Sequence, residues 1–470
     1  MKKYWDIIVV GAGPAGLACA NSLAEQGLST IVLDEQPVPG GQIYRNIGNQ
    51  SEKTLHILGE EYRNGGLLIE KFHGSGVDYS PRSKVWKIEH NGKVCFSRDD
   101  FSQEIQAKRI VIATGAMERP VPFTGWTLPG VMGAGAVDAA FKSDGILPES
   151  PVAIAGSGPL ALLVANHLTR LGVEVSCFFD TTPSKSISRG LRYLPAAIKR
   201  PGYLAKGIGM LVAVRRNVHR YVNHVSAYAA LGQKKIERVD AEVDERQVSI
   251  PVSMLLVHEG IIPRTEFGRQ LRLKHSWNPV QRYWYPDVDA NGCTSSPVIY
   301  MTGDGTFIHG AIASTIKGEL TALAIGDDLG CDISMHRERR TALEKMLSRE
   351  VLPRPFVDAI YSPRNSYADI DDEVYVCRCE EVTAGMIRRL VKEGQTTPEM
   401  VKSLSRCGMG PCQGRMCSSS LSEMIAIETG NDVNDLLPLT VRPPVRNIGL
   451  GELANMSLLA KDSSIAGDEK

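Results

Sequence analysis

Two segments of this chain repeat one pattern: an apolar strand, a glycine turn, a helix, a second strand and a terminal acid. In the first, Trp5-Asp-Ile-Ile-Val-Val10 enters Gly11-Ala12-Gly13-Pro14-Ala15-Gly16, a helical run reaches about Gly27, and Thr30–Leu33 ends at Asp34-Glu35. In the second, Pro151–Ala155 enters Gly156-Ser-Gly158-Pro-Leu-Ala161, a helix runs through Leu171-Gly172, and Val173–Phe179 ends at Asp180. Such a pattern commits each segment to a βαβ unit of a parallel sheet. Gly11 makes the tight turn, Gly13 admits backbone to a pyrophosphate, and Gly16 allows close helix–strand packing, with Ala161 tolerated at the third position of the second copy. The helix N-terminus points its positive dipole end at phosphate. The acid about twenty residues beyond the glycines receives a ribose, with Asp34 the better candidate and Glu35 beside it. Asp180 takes that place in the second copy and favours NAD over NADP, although a bound AMP-type nucleotide would look the same.

The chain carries a second constraint near its C-terminus. Cys377-Arg-Cys379 and Cys412-Gln-Gly-Arg-Met-Cys417 form a C-x-C and a C-x₄-C pair. Four thiolates so arranged suit a [2Fe–2S] cluster, which needs Cys₄ ligation. Structural zinc prefers C-x₂₋₄-C pairs, and the C-x-C spacing is a poor zinc chelate. Disulfides need an oxidising compartment, and no signal peptide directs the chain to one. Spacing alone leaves one ambiguity, because Cys407 and Cys412 form another C-x₄-C pair.

At 470 residues the chain has material for two to four domains. Lys plus Arg and Asp plus Glu are equal at 53 each, so no global field invites nucleic acid or a membrane surface. The apolar run after Lys2-Lys3 is too short for a leader and enters the glycine turn directly. No stretch approaches the length of a membrane span. The ten cysteines, scattered singly or in the cluster motif, suit a reducing cytoplasm. One stretch departs from the even charge: residues 181–236 hold eleven lysines and arginines, including Lys185, Arg189, Arg192, Lys199, Arg200, Arg215, Arg216 and Arg220, and no acid. It reads as a solvated basic face, or as the lining of a phosphate site or the dock of an acidic partner.

Three further segments complete the nucleotide reading. Gly40-Gly41-Gln42 follows the first acid, Ile110–Ala113-Thr114-Gly115 is a strand with a small-residue turn, and Ile299–Thr302 leads to Gly303-Asp304-Gly305. In order and spacing they resemble the glutathione-reductase-like flavoproteins with two dinucleotide-binding domains. That resemblance implies FAD in the first site, with Asp304 on the ribityl chain, and one βαβ unit inserted between the parts of another. No C-x-x-C lies beside these segments, so disulfide reductase chemistry is not expected. There is no H-E-x-x-H, G-x-S-x-G or Walker loop, the histidines form no ligand-spaced cluster, and no residue stands out as a general base. No catalytic residue is assigned.

Ala113-Thr-Gly-Ala-Met-Glu-Arg119-Pro, Gly125-Trp126-Thr-Leu-Pro129-Gly130 and Cys407-Gly-Met-Gly-Pro-Cys-Gln-Gly-Arg415 narrow the resemblance. From residue 5 to about 450 the chain resembles the FAD-containing A (alpha) subunits of heteromeric opine oxidases or dehydrogenases. It is also similar to the hydrogen cyanide synthase B subunit, D-hydroxyproline dehydrogenase alpha subunits and part of sarcosine oxidase alpha. The expected fold is α/β: a glutathione-reductase-like flavoprotein plus a small α-helical BFD-like (bacterioferritin-associated-ferredoxin type) [2Fe–2S] domain. The resemblance makes Cys377, Cys379, Cys412 and Cys417 the ligands and Cys407 a neighbour. It implies C–N bond oxidation on an amino-acid-oxidase-like FAD beta subunit, which explains the missing base. It further implies FMN at a subunit interface, room for a small third subunit, and a quinone or dye acceptor that would bring the complex to the inner membrane's periphery. Some relatives hold a nucleotide other than NAD in the second site.

The expected organisation is a flavin domain at 1–120 and 296–330, a second nucleotide domain at 121–295, a linker helix within 331–370, the cluster domain at 371–425 and a tail at 426–470. Two other readings remain at this stage: a stand-alone NAD(P)H-dependent FAD/[2Fe–2S] reductase, and a non-catalytic regulatory protein using its cluster as a switch.

Overall fold

The computed structural model describes residues 2–244, 246–332, 336–364 and 367–456. Its first sheet is built around Tyr4–Val10, whose Ile7, Ile8 and Val9 are fully buried, as a strand covered on both faces must be. Thr30–Leu33 lies parallel on one side and Phe101–Ile112 on the other. The latter strand does two jobs. Its first half pairs antiparallel with Lys93–Arg98, and its last residues, Ile110–Ile112, pair in parallel with Ile299–Met301. A strand nearly two hundred residues later in sequence thus completes the first sheet.

The second sheet occupies the interval. Tyr221–Val222, Val175–Asp180, Val152–Gly156, Met254–His258 and Val131–Gly133 run in that order, all parallel. Three antiparallel strands, Val225–Leu231, Arg238–Val243 and Arg246–Pro251, form a separate sheet. The chain passes between the two parallel sheets through Ala116–Glu118 and Ile261–Pro263, which pair with each other. Both crossings are therefore held as one two-stranded ribbon.

Each parallel sheet carries the helix its glycine turn announces. Pro14–Glu25 and Pro159–Arg170 both start with proline in the first turn, where a missing N–H costs nothing, and no side chain caps either. Ala311–Asp328 crosses Pro14–Glu25 so closely that a Cβ on Gly318 would overlap the Ala15 carbonyl. Arg337–Glu350, the linker helix expected within 331–370, lays Leu343 against Ile316, Leu320 and Leu323. Arg354–Ile360 then packs on Ser186–Leu191, where Gly190 leaves room for Ile360.

The cysteine-bearing region is small and helical. Ala384–Lys392 and Pro398–Ser405 begin at Thr383 and Thr397, whose hydroxyls accept the amides of Met386 and Met400, each at 3.3 Å. With Ser418–Thr429 they bury Ile387, Val401, Leu421 and Ile425 in a core continuous with Phe123 and Trp126 of the inserted region. The Trp126 indole N–H donates to the Tyr375 carbonyl at 2.8 Å, and the Thr124 hydroxyl to Asp371 at 2.7 Å.

The stretch expected to be a tail is, as far as residue 446, a packed strap. Val441 and Val445 are buried against Trp5 and Val85 of the first sheet, and the Val445 amide donates to the Trp86 carbonyl at 2.9 Å. The remainder of the expected tail, from residue 457, lies outside the described residues.

One buried charge group joins two helices of the inserted nucleotide region, Ala134–Asp144 and Pro159–Arg170. Asp138 accepts from Lys142 at 2.7 Å and meets His167 at 2.9 Å, all three side chains being buried. His167 and Lys142 hold the Asp138 carboxyl down at about 2 against the cost of its burial. Asp138→Asn leaves Lys142 buried without its counter-charge and should cost roughly 3–5 kcal/mol. Chemical denaturation of the flavin-loaded chain measures this; a loss under about 1 kcal/mol would place the group among ordinary surface pairs.

Candidate functional site

Four separated segments meet at the C-terminal ends of the first sheet's strands. A Cβ on Gly11 would sit 2.5 Å from the Ala113 carbonyl oxygen, and one on Gly303 would sit 2.6 Å from the Ala15 side chain. Gly305 lies against Gly115. Gly41 faces the turn, its added Cβ falling 2.8 Å from the Gly13 Cα. At Gly11, Gly41 and Gly303 both the positive φ and the close approach require glycine, while at Gly115 the positive φ alone does. The outcome is a backbone-walled cradle with the N-terminus of Pro14–Glu25 at its floor. Gln42 lies at its edge and accepts from Arg45 at 2.9 Å. Thr114 is half-buried between Ala113 and Gly115.

The two acids at the end of Thr30–Leu33 are used differently. Asp34 is buried, and its carboxylate accepts the amides of Ala12 at 2.5 Å and Gln36 at 2.7 Å, pinning the glycine turn. Burial pushes its pKa up to about 6. Glu35 is more open and pairs with Arg264 at 3.3 Å and Arg446 at 3.5 Å. At the other end of the cradle, Asp304 accepts the amides of His309 and Gly310 at 2.8 and 3.0 Å and the Ser314 hydroxyl at 3.1 Å. It thereby ties the Gly303 turn to the start of Ala311–Asp328. Two side chains the sequence reading did not single out join it. Lys317 reaches the Thr306 hydroxyl at 3.4 Å, and burial brings its pKa down to about 8. His309 is likewise lowered by burial, to about 3. Lys317, the one basic residue of that helix, was the available signal.

The second fingerprint has the same geometry with a different neighbour. Gly156 abuts the His258 carbonyl, and Ala161 is fully buried beneath. Asp180 accepts the Thr182 amide at 2.9 Å and the Tyr221 hydroxyl at 2.7 Å. Arg215 lies over the Tyr221 ring at 4.8 Å and donates to Asn223. A Cβ on Gly158 would first meet Tyr361, at 3.8 Å. That residue follows the helix Arg354–Ile360, so the linker stands over this glycine turn. Elsewhere in the basic stretch, Arg200 pairs with Glu350 at 2.5 Å, Lys206 pairs with Glu61, and Arg189 donates to the Ser362 hydroxyl at 3.2 Å.

The cysteines fall into two groups. The sulfurs of Cys377, Cys407 and Cys417 lie within 4.8 Å of one another, all buried. Cys379 is exposed and Cys412 half-buried; the Cys412 amide and thiol are hydrogen-bond partners of the Cys379 sulfur. The loop 406–417 that delivers three of them turns through left-handed backbone at Arg406, Gly408, Gln413 and Gly414. The thiols of Cys407 and Cys417 and the amides of Gly408 and Glu380 point at the Cys377 sulfur and hold its pKa at about 2. Thiolate sulfurs with convergent amides are the donor set a [2Fe–2S] cluster takes. The four cysteines of the resemblance thus converge as 377 with 417 and 379 with 412, and the structure adds Cys407 to the inner group.

The cysteine loop and the cradle are joined by charges distant in sequence. Arg415, between Cys412 and Cys417, faces Glu266 at 3.8 Å, and Arg446 of the strap meets Glu266 at 3.6 Å and Glu35 at 3.5 Å. Buried Arg269 donates to the Ser418 hydroxyl at 2.8 Å and to the Leu439 carbonyl at 3.3 Å. A small cavity, about 20 Å³, lies here among Met117, Thr265, Glu266, Arg269, Arg415 and Ser418.

Gly410 closes the outer edge of the cysteine group, where a Cβ would overlap that of Cys379. Gly410→Ala should therefore displace Cys379 and lower iron per chain at least several-fold while FAD content stays at wild-type level. Iron assay and the flavin absorbance measure both, and unchanged iron would show that Cys379 has slack.

Comparison with known proteins agrees with this geometry. Residues 5–322 match the family model for pyridine nucleotide-disulphide oxidoreductases, and residues 375–427 match the BFD-like [2Fe–2S] binding domain. The opine oxidase A subunit of Agrobacterium tumefaciens (strain Ach5) is 38% identical over 98% of this chain and 93% of its own. The hydrogen cyanide synthase protein HcnB of Pseudomonas protegens is 29% identical over 93% of this chain and 97% of its own. Among solved structures, L-proline dehydrogenase from P. horikoshii superposes with a TM-score of 0.72 at 20% identity, covering 96% of this chain and 79% of that one, a likeness of fold. No described helix is long and apolar enough to cross a membrane. The cradle is that of an FAD-binding domain and the cysteine group that of a [2Fe–2S] domain, and the chain belongs to the family of opine oxidase A subunits, which are flavin-dependent oxidoreductases.

Proposed function

We propose that this chain is the electron-transferring FAD/[2Fe–2S] subunit of a heteromeric dehydrogenase or oxidase that oxidises a C–N bond of an opine, imino acid or amino acid. The observation that carries the reading is the Arg415–Glu266–Arg446–Glu35 connection, which fixes the cysteine loop against the flavin domain. Bound FAD would supply a two-electron carrier and the cluster a one-electron carrier.

The chain's own residues hold these groups and set their surroundings. The turn Gly11–Gly16 receives the pyrophosphate on the amides of Gly13, Ala15 and Gly16, while the Gly11 and Ala12 amides hold the turn to Leu33 and Asp34 and Pro14 has no N–H to give. Asp34 keeps that turn in shape, and Glu35 stands beside it at the ribose end. Gly41 and Gln42 border the groove, Ala113–Gly115 wall it, and Gly303 with Asp304 set the flavin end. Cys377, Cys379, Cys412 and Cys417 ligate the cluster. Substrate oxidation takes place on an amino-acid-oxidase-like FAD beta subunit, while FMN at the interface and a small third subunit complete the assembly. The electrons leave to a quinone or dye-type acceptor. The complex works in the cytoplasm or at the inner face of its membrane, a placement supported by ten cysteines that form no disulfide.

The stand-alone NAD(P)H reductase is the weaker reading. Tyr361 lies at the glycine where a pyrophosphate would approach, and Asp180 already accepts from Tyr221. Gly156, Gly158, Ala161 and Asp180 therefore serve a nucleotide only if the linker yields. The complete flavin cradle disfavours a purely regulatory protein.

Isolation of the tagged chain from its native host under anaerobic conditions tests the proposal. An amino-acid-oxidase-like flavoprotein should co-purify in equimolar amount, and NADH should leave the flavin oxidised over many minutes. A chain recovered alone whose flavin is bleached rapidly by NADH would replace this reading with the reductase.

A further inference from the structure

The cysteine group contains one thiol more than a [2Fe–2S] cluster uses. Cys407 has no accessible surface, and its sulfur lies within 4.8 Å of those of both Cys377 and Cys417. It is not merely sequestered packing. Cys407 ends the turn after Pro398–Ser405, where Arg406 adopts left-handed backbone and the Ser405 hydroxyl accepts the Cys407 amide at 3.2 Å. These bonds aim its side chain at the two inner cysteines.

We propose that Cys407 is a spare ligand of the inner iron, able to take the place of Cys417 or Cys377 when either is lost. This rests on the reading of Cys377, Cys379, Cys412 and Cys417 as the resident set. Each iron of a [2Fe–2S] cluster is held by two thiolates. The outer iron falls to Cys379 and Cys412, which adjoin each other and are the more open thiols. The inner iron then has three buried sulfurs for two positions. Exchange forms an Fe–S bond to Cys407 as the one to Cys417 breaks, and the Cys407 proton moves to the released sulfur. No oxidant or reductant is consumed. Left-handed glycines at 408 and 414 on either side of Cys412 let the loop adjust without carrying a Cβ into the site.

The full-length chain, purified anaerobically, serves for the test as Cys407→Ser, Cys417→Ser, the double variant and Cys412→Ser. Iron and acid-labile sulfide per chain, and the EPR spectrum after dithionite reduction, are read against FAD content as the measure of folding. Cys407→Ser should keep the wild-type cluster. Cys417→Ser should keep most of its iron with shifted g-values, and the double variant should lose the cluster while keeping FAD. If Cys417→Ser alone loses as much iron as the double variant, Cys407 is not a replacement ligand. Loss of the cluster in Cys407→Ser alone would make Cys407 an obligatory ligand and overturn the spare role. Full iron in Cys412→Ser would instead overturn the resident set itself. Should Cys417→Ser also lose FAD, the same comparison at Cys377 decides the question.

Discussion

The seating of the cysteine loop on the flavin domain turns on the buried carboxylate of Glu266. It is 3% exposed, and it receives Arg415 from the cysteine loop and Arg446 from the strap, which also reaches Glu35 at the mouth of the flavin cradle. A carboxylate so desolvated is tolerable only with its cations in place. The two arginines that neutralise it therefore help to fix how the small helical domain sits. A cluster domain on a loose tether would sample many distances from the flavin, whereas this ionic link and the Arg269 bond to Ser418 hold it in one arrangement. The apolar core shared with Phe123 and Trp126 supplies the adhesion, and the charges supply the register.

The flavin cradle shows the same economy in backbone. Gly11, Gly303 and Gly318 are places where segments far apart in sequence touch without side chains between them. This lets the turn at 11–16, the turn at 113–115 and the start of Ala311–Asp328 share one small volume. Asp34 and Asp304 each spend their carboxylate on backbone amides, so both keep the walls in position. The first turn of the first fingerprint is left without a side-chain cap, which suits an anionic occupant.

Much of this was legible in the sequence, and the limit has a physical cause. Both βαβ units, and the helices Ala384–Lys392 and Pro398–Ser405, follow from signals confined to a few consecutive residues: glycines after an apolar run, a threonine cap, a proline in the first turn. The pairing of Phe101–Ile112 with Ile299–Met301 was accessible only through resemblance, because no local pattern encodes it. Neither the Glu266 connection nor the position of Tyr361 over Gly158 has any local signal, since each joins residues more than a hundred positions apart. Residues 426–446 read as part of a tail because their valines are too few to show a period, yet Val441 and Val445 are anchored in the first sheet's core. Cys407 could not be ranked by spacing, because selecting among five thiols needs their positions in space.

The central claim is that electrons reach this chain's flavin and cluster from a partner that oxidises the C–N bond. Anaerobic freeze-quench EPR, following the reduced-cluster signal after mixing with an opine, imino acid or amino acid substrate, tests it most directly. The signal should rise within turnover time in the purified complex and stay absent in the isolated FAD- and cluster-loaded chain given the same substrate. A signal of equal rate in the isolated chain would place substrate oxidation on this chain and contradict the account.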